Sequence, residues 1–336
     1  MTAFLLRALC AALFALLVCS ARAESLQRFV FEKAEMGLPF RVTLFAADEA
    51  TAKAAADAAF ERVAVLNSIL SDYDPESELS RLSRTAGLGK AVPVSGDLWT
   101  VLARGRALSE RTDGAFDVTV GPLVNIWRRA RKKQELPGAE LIAEMQARVG
   151  WRQMVLDPAE RTVKLLKPEM RLDCGSIGKG YAIDAAFAVL RARGITRALV
   201  GGSGDMMAGD PPPDQAGWRI EVAPSDAPDA PPAQVVLLKN SAIGTSGDFF
   251  QRVEIDGVRY SHIVDPHTGL GLTDRSLVSV LGPDCTTADS LATAVSVLGP
   301  ERGLRLVEDT PGYAVRIVRK PGDRVEFVES SRWPAH

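Results

Sequence analysis

The sequence contains little cysteine and little histidine, which limits the metal and redox chemistry open to it. Of its 336 residues, four are Cys and three are His. Two thiols, Cys10 and Cys19, lie near the N-terminus, and the remaining pair, Cys174 and Cys285, is too small for a disulfide framework. A single bridge between that pair and two separate thiols both remain open. A zinc site rich in His or Cys is excluded, so we expect any bound metal to be hard and held by oxygen atoms.

A strong charge of one sign is also absent. The chain has 40 Lys and Arg residues against 42 Asp and Glu residues, for a formal net charge of −2. A nucleic-acid-binding surface usually needs a clustered excess of basic residues. We therefore predict no nucleic-acid partner.

The N-terminal segment has the pattern of an export signal. Arg7 precedes an apolar run over residues 8–18, and Ala21-Arg22-Ala23 forms a small-x-small cleavage site. We expect residues 1–23 to be a signal peptide and residues 24–336 to form the mature periplasmic protein, with no membrane span after cleavage. A lipoprotein anchor at Cys19 is the alternative, although Val18 stands where such signals want a small residue.

Hydrophobic periodicity predicts a mixture of helices and strands after the signal. Helices are predicted over residues 48–70, 77–83, 98–111, 139–149 and 177–193. Strands are predicted over residues 28–31, 40–45, 198–200, 218–222, 234–238, 250–255, 258–264 and 277–281. Asp256-Gly257 is a hairpin turn signal between two of these strands. This pattern favours an α+β architecture in one large mixed domain.

One glycine-rich segment has the composition of an anion-binding turn. The sequence DCGSIGKGY at residues 173–181 joins a strand end to a helix start, where backbone amides and the helix dipole favour anions. Its spacing does not match a P-loop, because Lys179 is followed by Gly180 in place of Ser or Thr. A structural turn and a ligand site both remain open for this segment.

Two further glycine-rich segments follow. In GGSGD at residues 201–205, Met207 stands where a dinucleotide fingerprint requires its third glycine, so we expect no Rossmann site. Close approach to a ligand and a sharp structural turn are equally open there. The segment GTSGD at residues 244–248 is interpreted as a turn before a strand, with hydroxyl groups suited to phosphate oxygens.

The C-terminal half contains the candidate catalytic and metal-binding side chains. Asp289 and Thr293 lie four residues apart in a predicted helix, so their oxygens share one face and could bind one cation. His262 is predicted to lie on the strand over residues 258–264. Each residue also has a purely structural interpretation. His262 could be a hydrogen-bonded core histidine, Asp289 a charge near a helix N-terminus, and Thr293 a core threonine. In combination with the glycine-rich turns, these residues favour a Mg²⁺-dependent attack on a diphosphate.

Five segments, in this order along the chain, resemble the FAD:protein FMN transferases of the ApbE family. They are GAFDVTVGPLVNIW at residues 114–127, DCGSIGKGY at 173–181, TSGD at 245–248, SHIVDPHTG at 261–269 and ADSLATA at 288–294. The resemblance extends over residues 29–328. It implies an α+β, T-fold-related flavin transferase domain with two lobes around a flavin cleft.

The resemblance also implies an activity. Such proteins bind FAD with Mg²⁺ outside the cytoplasmic membrane, transfer FMN to a threonine hydroxyl of an acceptor and release AMP. The implied acceptors are flavin subunits of membrane redox complexes, such as sodium-pumping quinone reductases, and nitrous-oxide respiration regulators. There are two alternatives. One is a Mg²⁺-dependent FAD pyrophosphatase that yields FMN and AMP, and the other is a non-catalytic periplasmic FAD carrier.

Roles for individual residues are implied in the same way. His262 would accept the proton of the acceptor threonine, and Gly204 with Asp205 would shape the flavin and diphosphate walls. The metal would be held by Ser176, Asp289 and Thr293. The FAD pocket would be lined by Met36, Tyr73, Ala115, Phe116, Asp117, Asp173, Lys179, Thr245 and Val264. Ala292 is a departure, because some relatives place a second acidic ligand at that position.

Overall fold

The computed structural model describes residues 26–222, 234–247, 252–320 and 324–335. The predicted signal peptide and the alternative anchor at Cys19 lie outside the described residues, as does Asp248 of the third glycine-rich segment. Among the helices that the structure describes, none combines the length and the apolar character needed to cross a lipid bilayer.

The centre of the fold is an antiparallel sheet. Eight described strands pair in the order β1-β2-β6-β7-β10-β13-β14-β15. The strands are β1 Gln27–Glu35, β2 Leu38–Ala46, β3 Val92–Pro93, β4 Met154–Asp157, β5 Thr162–Leu165, β6 Ala198–Gly202, β7 Asp205–Ala208, β8 Trp218–Val222, β9 Gln234–Leu238, β10 Ser241–Gly247, β11 Arg252–Ile255, β12 Val258–Ser261, β13 Ser276–Gly282, β14 Ala314–Arg319 and β15 Glu326–Glu329. The remaining strands form small sheets β3-β5-β4, β8-β9 and β11-β12.

Seven α-helices lie among the described residues, and three of them pack on the large sheet. The seven helices are α1 Glu49–Leu70, α2 Glu78–Ser83, α3 Gly96–Arg111, α4 Gly121–Lys133, α5 Ala139–Gln146, α6 Gly178–Ala192 and α7 Cys285–Glu308. Helix α1 packs on β1, β2 and α6, and α7 packs on α6, β10, β13 and β14. The β8-β9 hairpin contributes to a separate apolar cluster with residues of β7, β10 and β14. The α+β fold class is therefore confirmed.

Helix α1 shows why the sequence predicts this part of the fold well. The Asp48 side chain caps its N-terminus by accepting a hydrogen bond from Thr51 N at 2.7 Å. Its buried side chains recur at helical spacing, and half of them are alanine: Ala52, Ala55, Ala56, Ala59, Phe60, Val63, Leu66 and Leu70. The small residues allow α1 to pack closely against α6, which presents Ala182 and Ala186 to the same cluster.

Two predictions near the candidate site are wrong. Residues 244–247 are not a turn but the end of β10, which pairs with both β7 and β13 inside the sheet. His262 is not on a strand, because β12 ends at Ser261 and the chain bends there. The Ser261 hydroxyl accepts a hydrogen bond from Ile263 N at 3.1 Å, which stabilises this bend.

Several elements have no counterpart among the predictions, and they include β3, β7, α4, β14 and β15. Helix α4 begins with Pro122 in its first turn and has no side-chain cap, so it lacks the usual polar start signal. Strands β14 and β15 complete the sheet at its far edge. By contrast, the predicted Asp256-Gly257 turn does connect β11 to β12, and both residues have positive φ.

Candidate active site

Two buried carboxylates meet one ammonium group at the start of α6. Lys179 Nζ forms a very short ion pair with Asp205 Oδ2 and lies 3.4 Å from Asp289 Oδ1. Asp205 is 0 % exposed and Asp289 is 2 % exposed. The three residues come from α6, β7 and α7, so the fold assembles this cluster from segments that are far apart in the sequence.

Backbone amides hold both carboxylates in place. Thr245 N donates to Asp205 Oδ1 at 2.8 Å, and Gly180 N donates to Asp289 Oδ2 at 3.0 Å. A Cβ on Gly180 would lie 2.4 Å from the Cys285 carbonyl oxygen, so only glycine lets α6 approach α7 this closely. The amide hydrogen bond to Asp289 depends on that approach.

The charges in this cluster are strongly perturbed. Burial acts to lower the pKa of Lys179, but Asp205 and Asp289 outweigh it and hold that pKa above its usual value. Burial raises the pKa of Asp205 to about 7, with the Asp289 carboxylate adding to the rise and Lys179 opposing it. The two carboxylates therefore favour the charged form of the Lys179 ammonium.

The oxygen atoms beside this cluster fit a hard metal ion. Thr293 lies one helical turn beyond Asp289 on α7, as predicted, and its hydroxyl is 3.4 Å from the Ser246 hydroxyl. Asp289 Oδ1 is only loosely engaged by Lys179, whereas Asp289 Oδ2 is held by the Gly180 amide. Carboxylate and hydroxyl oxygens are suitable ligands for Mg²⁺.

The described part of the chain contains no group of three or more His, Cys, Asp or Glu side chains placed to share a metal ion. An ion at Asp289 would therefore also need hydroxyl, backbone or substrate oxygens. Ser176, the third predicted ligand, is half-buried in the turn that precedes α6. Its contribution to the metal stays a prediction.

A second polar cluster lies at the other end of the same turn. The Arg128 guanidinium on α4 forms a very short ion pair with Asp72 and a 3.0 Å ion pair with Asp173. The same guanidinium lies over the Tyr73 ring, 4.1 Å from its centroid. The structure thus joins two predicted pocket residues, Tyr73 and Asp173, through an arginine that the sequence did not single out.

The Asp173 carboxylate also shapes the turn that leads to Lys179. Asp173 Oδ1 accepts a hydrogen bond from Gly175 N at 2.8 Å. At the end of this turn, Met36 of the β1-β2 connection brings its Cε within 4.0 Å of where a Cβ on Gly178 would lie. Met36 therefore approaches the segment that runs from Asp173 to Lys179. A role for Met36, Asp173 and Lys179 in FAD binding stays a prediction.

The predicted pocket residues 115–117 are largely buried. Phe116 is 1 % exposed and belongs to the main hydrophobic core. Asp117 accepts hydrogen bonds from Thr119 N at 2.8 Å and from Trp151 N at 2.9 Å, and burial raises its pKa. These contacts are sufficient to explain Asp117 as a local anchor. A role for Ala115, Phe116 and Asp117 in FAD binding stays a prediction.

The loop that carries His262 is supported by α4 and α5. Trp127 Nε1 donates to the Gly269 carbonyl oxygen at 2.8 Å, and Gln146 Nε2 donates to the Pro266 carbonyl oxygen at 3.2 Å. Val264 is buried in the same apolar cluster as Trp127. His262 itself is half-buried. Its role as a base stays a prediction.

Comparison with known proteins shows which family the chain resembles. The sequence model of the ApbE family matches residues 36–317. The chain belongs to the ApbE family. Two curated relatives, each named FAD:protein FMN transferase, show how far the ApbE similarity extends. The protein of Klebsiella pneumoniae is 31 % identical over 300 residues, covering 88 % of this chain and 85 % of the relative. That of Vibrio cholerae is 33 % identical over 291 residues, covering 86 % and 85 %.

A solved ApbE structure has the same fold. The apo form of the flavinyl transferase ApbE from Pseudomonas stutzeri superposes with a TM-score of 0.80 at 30 % identity. The match covers 91 % of this chain and 95 % of that protein. The ApbE fold therefore extends over nearly all of the chain.

Proposed function

We propose that this protein is a Mg²⁺-dependent FAD:protein FMN transferase that acts in the periplasm. It would move FMN from FAD to a threonine hydroxyl of an acceptor protein and release AMP. The observation that carries the proposal is the buried cluster of Lys179, Asp205 and Asp289 beside Thr293, because it offers both a cation for phosphate oxygens and oxygen ligands for a metal.

The reaction requires a poor nucleophile to attack a repelling anion. The threonine oxygen would form a bond to the FMN phosphorus, and the bond from that phosphorus to the bridging oxygen would break, so AMP leaves with the electron pair. His262 would take the hydroxyl proton, a contribution that is typically about 10² to 10⁴ in rate. Bound Mg²⁺ would supply charge neutralisation at the diphosphate.

The other side chains of this chain would bind and orient the substrate. Lys179 is held as a cation and would attract the diphosphate to the N-terminus of α6, where the backbone amides also favour anions. Asp289 and Thr293 would hold the metal next to it. Tyr73 is 74 % exposed, so its ring is accessible to a planar ring of the substrate.

The acceptor is proposed to be a flavin subunit of a membrane redox complex or a nitrous-oxide respiration regulator. Export to the periplasm rests on the signal pattern in residues 1–23. The acceptor class follows from the family resemblance. The two proposals are tested separately from the chemistry, by locating the protein in fractionated cells and by identifying the labelled acceptor.

The test incubates the protein with FAD, Mg²⁺ and a purified acceptor domain. We expect covalent flavin on the denatured acceptor and one AMP for each flavin attached. Free FMN and AMP without labelled acceptor would instead indicate a pyrophosphatase. His262→Ala should bind FAD but not label the acceptor, whereas a carrier would be unaffected by that substitution.

A further inference from the structure

Arg128 occupies an unusual position for a basic residue on a helix. Its side chain is 19 % exposed, and it contacts the Asp72 and Asp173 side chains, which are 10 % and 7 % exposed. Its guanidinium also covers one face of the Tyr73 ring.

The charge balance at this point depends on Arg128. Asp72 and Asp173 are two carboxylates that face the same guanidinium. Burial and the Asp72 charge both raise the pKa of Asp173, while Arg128 and Arg171 lower it. Arg171 also donates to the Asp72 carbonyl oxygen at 2.6 Å. Loss of Arg128 would leave two partly buried carboxylates repelling each other, with Arg171 as the remaining cation.

The two contacts of Arg128 lead to different parts of the candidate site. Through Asp173 it acts on the turn that ends at Lys179, because the same carboxylate accepts the Gly175 amide. Through the stack it restrains Tyr73, a side chain that is otherwise mostly exposed. A guanidinium suits both tasks, since its plane stacks on a ring while its edge forms directional ion pairs.

We infer that Arg128 is a positioning residue for the dinucleotide. It holds the Tyr73 ring and the Asp173 carboxylate at a fixed separation, so that a planar aromatic ring stacks on the free face of Tyr73 while the attached diphosphate reaches Lys179. The inference rests on the proposed function, because it takes FAD as the ligand. It predicts an effect on FAD binding and none on the chemical step.

The test measures FAD affinity and transfer kinetics separately. FAD is titrated into the protein with Mg²⁺ and without acceptor, and binding is followed by flavin fluorescence. We expect Arg128→Met to raise the Kd for FAD about 10- to 100-fold, because the substitution removes a buried ion-pair partner and a cation–π contact. The KM for FAD should rise in parallel, while kcat stays within about threefold.

Three further variants separate positioning from simple stabilisation. Arg128→Lys keeps the charge without the planar fork, so we expect it to remain weaker than wild type by about threefold or more. Asp72→Asn in the Arg128→Met background removes the repelling charge and should recover part of the lost affinity. Arg129→Met is the matched control, because Arg129 is an exposed neighbour on α4; it should bind FAD as wild type does.

The outcomes distinguish this inference from the proposed function. Wild-type Kd in Arg128→Met, or a fall in kcat at unchanged KM, would overturn the positioning role. If Arg128→Met does not fold, the same measurements on Arg128→Lys and on the Arg128→Met, Asp72→Asn double variant test the positioning role. Wild-type affinity for FAD in Arg128→Lys would count against the inference. Failure of the wild-type protein to bind FAD or to label an acceptor would reject the proposed function instead.

Discussion

Gly244 on β10 is the position where the smallest substitution should disturb the candidate site most. A Cβ at this position would lie 2.4 Å from both Asp289 N and the Ala288 carbonyl carbon, and 2.7 Å from the Ala288 carbonyl oxygen. Ordinary contact distances are about 3.5 to 4.0 Å, so Gly244→Ala must push β10 and α7 apart by about 1 Å. Backbone atoms are in contact on both sides, and no flexible side chain is available to move instead.

The expected effects follow from that displacement. Overpacking of this kind costs about 1 to 3 kcal/mol in the free energy of unfolding. Because Asp289 moves with the backbone of α7, the labelling rate should fall by at least about tenfold, as misplacement by about 1 Å can cost about 10². If Asp289 binds the metal, higher Mg²⁺ concentrations should restore part of the rate.

The assay compares chemical denaturation and acceptor labelling in Gly244→Ala and in Gly96→Ala. Gly96 begins α3, and the nearest atom to a Cβ there is at 3.9 Å, so alanine fits. We expect that control to be as stable as wild type or up to about 1 kcal/mol more stable. Wild-type stability and labelling in Gly244→Ala would refute the close approach of β10 to α7.

Three other substitutions test the site. Lys179→Met should destabilise the protein by about 3 to 5 kcal/mol, because buried carboxylates lose their cation. Burial raises the pKa of Asp205 to about 7 while Lys179 opposes the rise, so loss of Lys179 should raise that pKa further. The destabilisation should therefore shrink as the pH falls towards about 7 and level off below it. Asp289→Ala, or excess chelator, should abolish labelling measured by covalent flavin on the acceptor. Trp127→Phe removes the hydrogen bond to the Gly269 carbonyl oxygen, so labelling should fall by more than FAD affinity does.

Each of these expectations has an opposing result. A Lys179→Met variant whose stability loss is the same at every pH would contradict the burial of Asp205 as the cause. Full activity in chelator, or in Asp289→Ala, would remove the metal from the mechanism. A Trp127→Phe variant that loses FAD affinity and keeps its labelling rate would show that the His262 loop is not what Trp127 supports.

The sequence predicts those elements whose signals are local. Helix α1 has a capping Asp48 and a regular apolar stripe, and both survive in the structure. The placement of Asp289 and Thr293 one turn apart on one helix likewise follows from helical spacing alone, and the structure shows it. Their role as metal ligands stays a prediction. The membership of the chain in the ApbE family was also visible, because five separate segments carry it.

What the sequence could not predict depends on tertiary contacts. Residues 244–247 are rich in glycine and hydroxyl groups, so they read as a turn, yet β10 needs Gly244 in order to pass close to α7. Arg128 lies in a basic run that usually indicates a solvated helix face. Its partners, Asp72 and Asp173, come from two distant loops, so no pattern within α4 reveals the contact.

Two consecutive residues of α4 serve different parts of the molecule. Trp127 contacts the segment after β12, and Arg128 contacts the loops that hold Asp72 and Asp173. Neighbouring residues on a helix point about 100° apart, so α4 contacts two different segments through adjacent side chains. We therefore expect a one-residue insertion or deletion in this helix to change both the affinity for FAD and the rate of acceptor labelling.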